Sequence, residues 1–297
     1  MIKKSALITG GSGFIGMHLI SKLQENGYIV DIFDRKNGQD IKNINDLKKV
    51  VQNNYDVIYH LAGLSGSKES NEKKISYFQI NTLATINLME LIVNYAPNSK
   101  LILSSSRLEY GKPQYNPVDE NHKTEPTSAY GLSKLIATQM AQVFGSAKNL
   151  NYIAFRTSNV YGPHKEEKFF GYNLINYYID QAKKGKTLLI FGNGNQLRDY
   201  IYIDDLVQAF LMAAESKMKQ KIYNLGFGEG TTLKNMTKLI IKTVNKGNIK
   251  FVTWPIDYHK IETGSYVSNI SKIKKELGFK PKISFKEGIQ KTLDFEI

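Results

Sequence analysis

The stretch Ser5-Ala6-Leu7-Ile8-Thr9-Gly10-Gly11-Ser12-Gly13-Phe14-Ile15-Gly16 decides how the rest of the chain is read. Ala6-Leu7-Ile8 is a short apolar run that stops at glycines spaced Gly10, Gly13 and Gly16. From Phe14 the apolar residues take a helical period, through Ile15, Leu19, Ile20 and Leu23. A buried strand, a tight turn and a helix N-terminus are therefore expected in succession. The unpaired N–H groups and positive dipole end of such a helix favour a pyrophosphate. Gly10 allows the turn, Gly13 lets the phosphate approach the backbone, and Gly16 lets the helix sit close on the strand. Spaced glycines alone are equally compatible with a structural turn.

The next apolar run, Tyr28-Ile29-Val30-Asp31-Ile32-Phe33, ends at Asp34. A carboxylate at the end of this second strand can accept both ribose hydroxyls of an adenosine and repels a 2′-phosphate. Strand, glycine turn, helix, strand and acid in that order point to a dinucleotide site. The plainer alternative makes Asp34 a solvated strand-end residue.

Apolar runs then alternate with helical patterns. Strands are expected at 5–9, 28–33, 56–61, 100–104 and 151–156, and helices at 14–26, 43–53, 77–96 and 128–148. This rhythm predicts an α/β fold, a doubly wound parallel sheet of Rossmann type covered on both faces. Ligands on such a sheet bind beyond the carboxyl ends of the strands. After Arg156 the pattern is less regular, with helices expected near 172–184, 204–216, 232–246, 271–277 and 285–295. Strands are expected at 187–191, 221–225 and 249–252. The dinucleotide-binding domain is placed at 1–165 plus about 198–226. A smaller mixed α/β substrate-binding domain takes about 166–197 plus 227–297 and caps the cleft.

Composition narrows the function classes. Hydrophobic content of 41% and charged content of 23% are ordinary for a soluble globular protein. No apolar run nears the roughly 20 residues needed to span a bilayer, and the start leads directly into the first strand, so no membrane contact and a cytoplasmic location are expected. With no cysteine, disulfides, thiol nucleophiles and Cys-based metal sites are excluded. His18, His60, His122, His164 and His259 show no metal-ligand spacing, so no metal is expected. The net charge of +13 raises the question of nucleic acid. Only four of the 40 basic residues are Arg, and the Lys residues are spread along expected helix faces, the pattern of a solvated surface. No nucleic-acid partner is expected. The four arginines, Arg35, Arg107, Arg156 and Arg198, instead fall within motifs.

Chemistry gathers after the third and fourth strands. His60-Leu61-Ala62-Gly63 would let a cofactor lie against the strand end, with His60 packed or hydrogen-bonded locally. Leu101-Ile102-Leu103-Ser104-Ser105-Ser106 ends the fourth strand, and Tyr130 and Lys134 follow on a helix. Their i, i+4 spacing puts phenol and ammonium on one face. A Lys ammonium and an oxidised nicotinamide nearby would favour the phenolate and lower its pKa from about 10. Tyr130 could then take a proton from a sugar hydroxyl, with a serine hydroxyl bonded to the same oxygen.

Gly10-x-x-Gly13-x-x-Gly16, His60-Leu61-Ala62-Gly63, Ser104-Ser105-Ser106 with Tyr110-Gly111, and Ala129-Tyr130-Gly131-Leu132-Ser133-Lys134 resemble the extended short-chain dehydrogenase/reductases. Within these, the chain is similar to the nucleotide-sugar epimerase/dehydratase group, of the UDP-glucose 4-epimerase type. The resemblance continues through Arg156-Thr157-Ser158-Asn159-Val160-Tyr161-Gly162-Pro163 and Phe191-Gly192-Asn193-Gly194-Asn195-Gln196-Leu197-Arg198-Asp199-Tyr200, to Glu276-Leu277-Gly278-Phe279-Lys280-Pro281. It implies Ser106, Tyr130 and Lys134 as catalytic residues. For an NAD cofactor it implies Gly10, Gly13, Phe14, Ile15, Gly16, Asp34, Arg35, Asp40, Ile41, Leu61, Ala62, Gly63, Asn81 and Ser104, with Tyr130 and Lys134. Asn159, Asn173, Leu174, Arg198 and Tyr266 match positions that hold a nucleotide diphosphate and its sugar. Lys260 stands near where relatives place a second arginine. Ser65–Lys68, Arg107 and His164–Phe170 are expected along the sugar pocket. Arg198 could alternatively form a structural ion pair with Asp199 or Asp204. Relatives dimerise through the helices expected at 77–96 and 128–148, so a homodimer built on a four-helix contact is implied.

Two departures bear on the reaction. Dehydratases of the group carry an Asp-Glu pair after the catalytic serine, where this chain has Arg107 and Leu108, which speaks against dehydration. The segment from Asp34 to Asp40 is short, where many epimerases of the group spend a helix and a strand and several nucleotide-sugar reductases do not. Arg35 and Lys36 beside Asp34 would suit NADP, but a carboxylate facing a dianion is costly, which favours NAD. The expected activity is an NAD-dependent nucleotide-sugar 4-epimerase passing through a 4-keto sugar. The alternatives are an NAD(P)H-dependent reductase of nucleotide-4-keto-6-deoxysugars and a non-catalytic nucleotide-binding module.

Overall fold

The computed structural model describes residues 3–164 and 173–295. Its centre is a six-stranded, all-parallel sheet. The first half runs β1 (Ser5–Thr9), α1 (Phe14–Glu25), β2 (Ile29–Phe33), α2 (Ile44–Val51), β3 (Val57–His60), α3 (Ser67–Glu72), α4 (Lys74–Tyr77), α5 (Ala84–Tyr95), β4 (Lys100–Ser106), α6 (Ala129–Lys148) and β5 (Tyr152–Thr157). The second runs β6 (Asn159–Tyr161), α7 (Leu174–Lys183), β7 (Thr187–Phe191), β8 (Leu197–Tyr202), α8 (Ile203–Glu215), β9 (Lys221–Leu225), β10 (Gly230–Thr232), α9 (Leu233–Val244), β11 (Asn248–Val252), α10 (Ile256–Ile261), α11 (Ser271–Leu277) and α12 (Phe285–Asp294).

Strand order in the main sheet is β2-β1-β3-β4-β5-β9. The order reverses at β1, so a crevice opens beyond the carboxyl ends of β1 and β3, as doubly wound sheets require. Near-continuous apolar runs put β1, β3, β4 and β5 in the interior, and Ala6, Leu7 and Ile8 have no exposed surface. One core layer joins α1 and α8 to one sheet face, and a second joins α2, α5 and α6 to the other. β9 adds to the sheet beside β5, and α8 packs on α1.

The opening glycine stretch is a turn between β1 and α1. Gly10 has φ +75°, and a Cβ there would meet the Ala62 backbone nitrogen at 2.6 Å. A Cβ on Gly16 would meet the Gly11 carbonyl oxygen at 2.4 Å, so only glycine lets α1 pack this tightly. Gly13 is the N-cap and brings no side-chain cap, which leaves first-turn amides open to the cleft.

β6, β8, β10, α3, α4 and α10 lie outside the sequence reading, whereas β7 and β11 were expected as strands. β6, β8 and β10 form a three-stranded sheet in the order β10-β8-β6, and β11 pairs with β7 in a two-stranded parallel sheet. The helix expected over 77–96 starts with a π-helical turn, Phe78–Leu83, before α5. The expected pocket residues 165–170 lie outside the described residues.

Candidate active site

Two adjoining clefts of about 570 and 470 Å³ lie over the carboxyl ends of β1–β4. Gly10, Ser12, Gly13, Asp34, Arg35, Lys36, Asp40, Ile41 and Leu61–Leu64 wall the first. Phe14, Ile15, Gly16, Ser65, Ser104, Tyr130, Lys134, His164 and Asn173 belong to the second. Asp34 is fixed at the rim because its carboxylate accepts from the Ser12 amide at 3.0 Å and the Lys36 amide at 2.9 Å. Asp40 is held by the Lys42 amide at 2.9 Å. A pyrophosphate-binding turn, an uncapped helix start and a carboxylate on β2 are the donor set a dinucleotide needs, so these residues fit one.

Two residues of this region act from behind the wall. Asn81 is buried in the π-helical turn and grips Leu64 through its amide (2.8 Å) and carbonyl (3.0 Å), while also donating to Ser133 at 3.0 Å. It shapes the loop after β3 and is absent from the cleft wall. His60 lies between the Thr9 hydroxyl at 2.7 Å and the Thr85 hydroxyl at 2.8 Å. Burial, helped by the Lys134 charge, pushes its pKa down to about 3, so it is a neutral packing residue, as expected.

The phenol, ammonium and serine converge next. Ser128 caps α6 through the Gly131 amide at 3.1 Å. Gly131 lets α6 press on the turn after β4, where a Cβ would meet the Leu108 carbonyl oxygen at 2.5 Å. That approach brings Tyr130 to the end of β4, beside Ser106, whose hydroxyl acts to lower the phenol pKa. The Ser106 oxygen accepts from the Leu108 amide at 3.1 Å, which fixes the hydroxyl. Lys134 donates to the Ser104 carbonyl at 3.0 Å, and burial lowers its pKa to about 8 against the opposing pull of Glu109.

The expectation that Lys134 depresses the phenol pKa differs from what this geometry gives. Burial raises Tyr130 above its ordinary value, outweighing the Ser106 hydroxyl and the Arg107 charge, which both lower it, while Glu109 raises it further. The Lys134 ammonium donates to the Ser104 carbonyl and is not among the charges that lower the phenol.

A third cleft of about 480 Å³ begins where the second ends, and Tyr130 lines both. Its wall includes Ser106, Arg107, Asn159, Asn173, Leu174 and Arg198 from the expected set. Asn159 donates to the Asp199 carbonyl at 2.9 Å, and Asn173 donates to the Val160 carbonyl at 2.7 Å while capping α7. Arg198 pairs with Glu262 at 2.5 Å and donates to the Gly264 carbonyl at 2.6 Å. Its expected alternative partner Asp199 faces the other side of β8, taken by the amides of Phe227, Gly228 and Ser268.

Two expected wall residues are placed elsewhere. Tyr266 is 1% exposed and lies under Arg107, whose guanidinium carbon is 5.1 Å from the ring centroid. It supports Arg107 from the core. Lys260 is exposed on α10 and absent from the wall, because that helix turns Tyr258 inward instead. Phe191, Trp254 and Tyr258 cluster there, with Phe191 5.4 and 5.5 Å from the other two rings. These three, with Glu262 and Glu109, were outside the sequence reading. Glu109 is fully buried and pairs with Arg156 at 2.7 Å.

Comparison with known proteins agrees with this architecture. A model of the NAD dependent epimerase/dehydratase family matches residues 6–226. A putative UDP-glucose 4-epimerase of Methanocaldococcus jannaschii is 35% identical, covering 97% of both chains. The UDP-glucose 4-epimerase of Thermotoga maritima, solved with UDP-glucose, superposes with a TM-score of 0.88 at 28% identity, over 98% of this chain and 97% of that one. The Thermus thermophilus UDP-glucose 4-epimerase, solved with NAD, gives 0.86 at 26% identity over 98% of each chain. With a parallel sheet that reverses at β1, a fitting dinucleotide cleft and a family match across both, this chain belongs to the NAD dependent epimerase/dehydratase family.

Proposed function

We propose that the protein is an NAD-dependent nucleotide-sugar 4-epimerase. The observation that carries the reading is Tyr130 standing at the junction of the two clefts, with Ser106 beside its phenol and Lys134 on the same helix face. Asp34 would hold the adenosine ribose and the Gly10–Gly16 turn the pyrophosphate, and Asp34 is the reason to favour NAD over NADP. Lys134 and Ser104 would face the nicotinamide end. When bound, the dinucleotide supplies a hydride acceptor and donor, and its oxidised ring brings a positive charge that favours the phenolate.

Tyr130 then accepts the proton of the sugar hydroxyl, while Ser106 donates a hydrogen bond to the same oxygen. After the 4-keto sugar has turned over in the cleft, Tyr130 returns the proton to the sugar oxygen, and a hydride given back by the bound dinucleotide would reach the opposite face of C4. Arg198 and Arg107 would recognise the diphosphate and sugar, with Asn159, Asn173 and Leu174 along the wall. Two units follow from this reading. The main sheet with α8 and β9 holds the dinucleotide, and α7, β7 and the chain after β9 cover the sugar. We further propose a homodimer built on α4–α6, where Ile75, Leu83, Leu132 and Val143 are exposed.

The test is to denature the purified protein and assay the supernatant for dinucleotide, then incubate the native protein with a panel of nucleotide sugars. Stoichiometric NAD(H) and interconversion of 4-epimers are expected. An empty protein that consumes added NADPH with a 4-keto sugar would replace this reading by the reductase.

A further inference from the structure

The buried carboxylate of Glu109 has no part in the scheme above. It sits in the turn directly after β4 and has no exposed surface. One oxygen accepts from Thr138 at 2.6 Å and from the Ser105 hydroxyl, and the other from Arg156 Nε at 2.7 Å. The Thr138 and Ser105 hydroxyl oxygens lie 3.1 Å apart. Arg156 in turn donates to the Tyr110 hydroxyl at 3.0 Å and the Glu120 carbonyl at 3.2 Å.

These contacts tie together the two elements that carry the chemistry. Ser105 lies between Ser104, whose carbonyl holds Lys134, and Ser106, which faces the phenol. Thr138 lies one turn beyond Lys134 on α6. A buried carboxylate with three donors is an expensive way to join a strand to a helix, since two apolar residues would do so without desolvating a charge. We propose that Glu109 is a positioning residue that clamps the end of β4 to α6 and sets the charge balance of the Tyr130–Lys134 pair.

The electrostatics agree in sign. The Glu109 charge raises both Tyr130 and Lys134, favouring the protonated form of each. Other groups face the pair from every side. Arg107 bears on the phenol, the Tyr77 ring meets the Tyr130 ring edge-on at 6.3 Å, and His60 is neutral beneath Lys134. Arg35, Glu69 and His164 lie along the same cleft. Among the described residues whose charges shift Tyr130 and Lys134, Glu109 is the sole carboxylate, and Arg156 is not among them.

This inference rests on the epimerase reading for its kinetic arm only. In Glu109→Gln both limbs of the pH–rate profile should move down by about one unit, because an anion favouring both protonated forms is gone. Glu109→Gln/Arg156→Gln removes both buried charges and should show the same displacement, which covers the case in which the single variant leaves Arg156 too costly to fold. Thr138→Val keeps the charges, so it should lower kcat severalfold with the limbs unmoved. A second arm needs no turnover. Amine-reactive labelling across pH, read at Lys134 by peptide mass spectrometry, should reach half-reaction about one unit lower in Glu109→Gln. In Glu109→Gln, loss of rate with unmoved limbs, or an unchanged labelling midpoint, would overturn the positioning role. A wild-type protein that turns over no nucleotide sugar, yet shows the labelling shift, would instead refute the epimerase reading alone.

Discussion

Lys134 stands one turn after Tyr130 on α6, and its ammonium donates to the Ser104 carbonyl at 3.0 Å, on the strand that brings Ser106 to the phenol. Ammonium and phenol are thus fixed through the same three serines of β4. On the proposed reading, this arrangement would couple proton abstraction by Tyr130 to occupancy of the cofactor cleft.

His60 provides a stability test of the β1–β3 junction. Its folded-state pKa of about 3 lies below the ordinary 6.5, so the folded protein binds fewer protons than the unfolded chain between those values. The stability present above pH 6.5 is lost as pH falls toward 3, by up to about 1.4 kcal/mol per pH unit. Urea unfolding from pH 7 to 4.5 should therefore show a shallower pH dependence in His60→Gln than in the wild type. Parallel curves would contradict the buried neutral imidazole.

Arg198 and Glu262 make opposite demands on an incoming diphosphate. The carboxylate occupies the guanidinium at 2.5 Å, in competition with phosphate oxygens. Arg198→Ala should weaken binding of a nucleoside diphosphate by about tenfold or more. Glu262→Gln should strengthen it severalfold. Isothermal titration with UDP checks both, and weaker binding in Glu262→Gln would show that the pair acts as one structural unit.

The exposed side chains Leu132 and Val143 on α6 are 40% and 52% accessible, and Ile75 and Leu83 on the preceding segments 75% and 55%. Such apolar exposure on adjoining helices fits a self-complementary contact. Light scattering should give twice the monomer mass for the wild type and the monomer mass for Leu132→Glu/Val143→Glu. A monomeric wild type at micromolar concentration would remove the proposed dimer.

Much of this fold is written in periodicity. β1 through β5 and the large helices follow from apolar spacing, because burial on both sheet faces leaves continuous hydrophobic runs. β8 escaped because Arg198 and Asp199 read as loop residues by hydropathy, whereas both are buried, one against Glu262 and one under three backbone amides. α3, Ser67–Glu72, has six residues and little apolar content, so it carries no helical period. At the site, Tyr130 and Lys134 stood out by order and spacing, whereas Ser106 was singled out from its neighbouring serines by the family resemblance. Glu109 did not stand out, since a single acid after a strand has no pattern until Thr138 and Arg156 are brought to it from α6 and β5. Tyr266 and Lys260 show the converse: matching a motif position does not place a side chain on a cleft wall.

The central claim is that the Tyr130 phenol moves the proton of the sugar hydroxyl. Its most direct test is Tyr130→Phe, which removes one oxygen and keeps the ring against Tyr77. Turnover of the nucleotide sugar identified for the wild type should fall by about 10²–10⁴, while co-purified dinucleotide and the unfolding midpoint stay close to wild type. Turnover in Tyr130→Phe equal to that of the wild type, with dinucleotide still bound, would contradict the account.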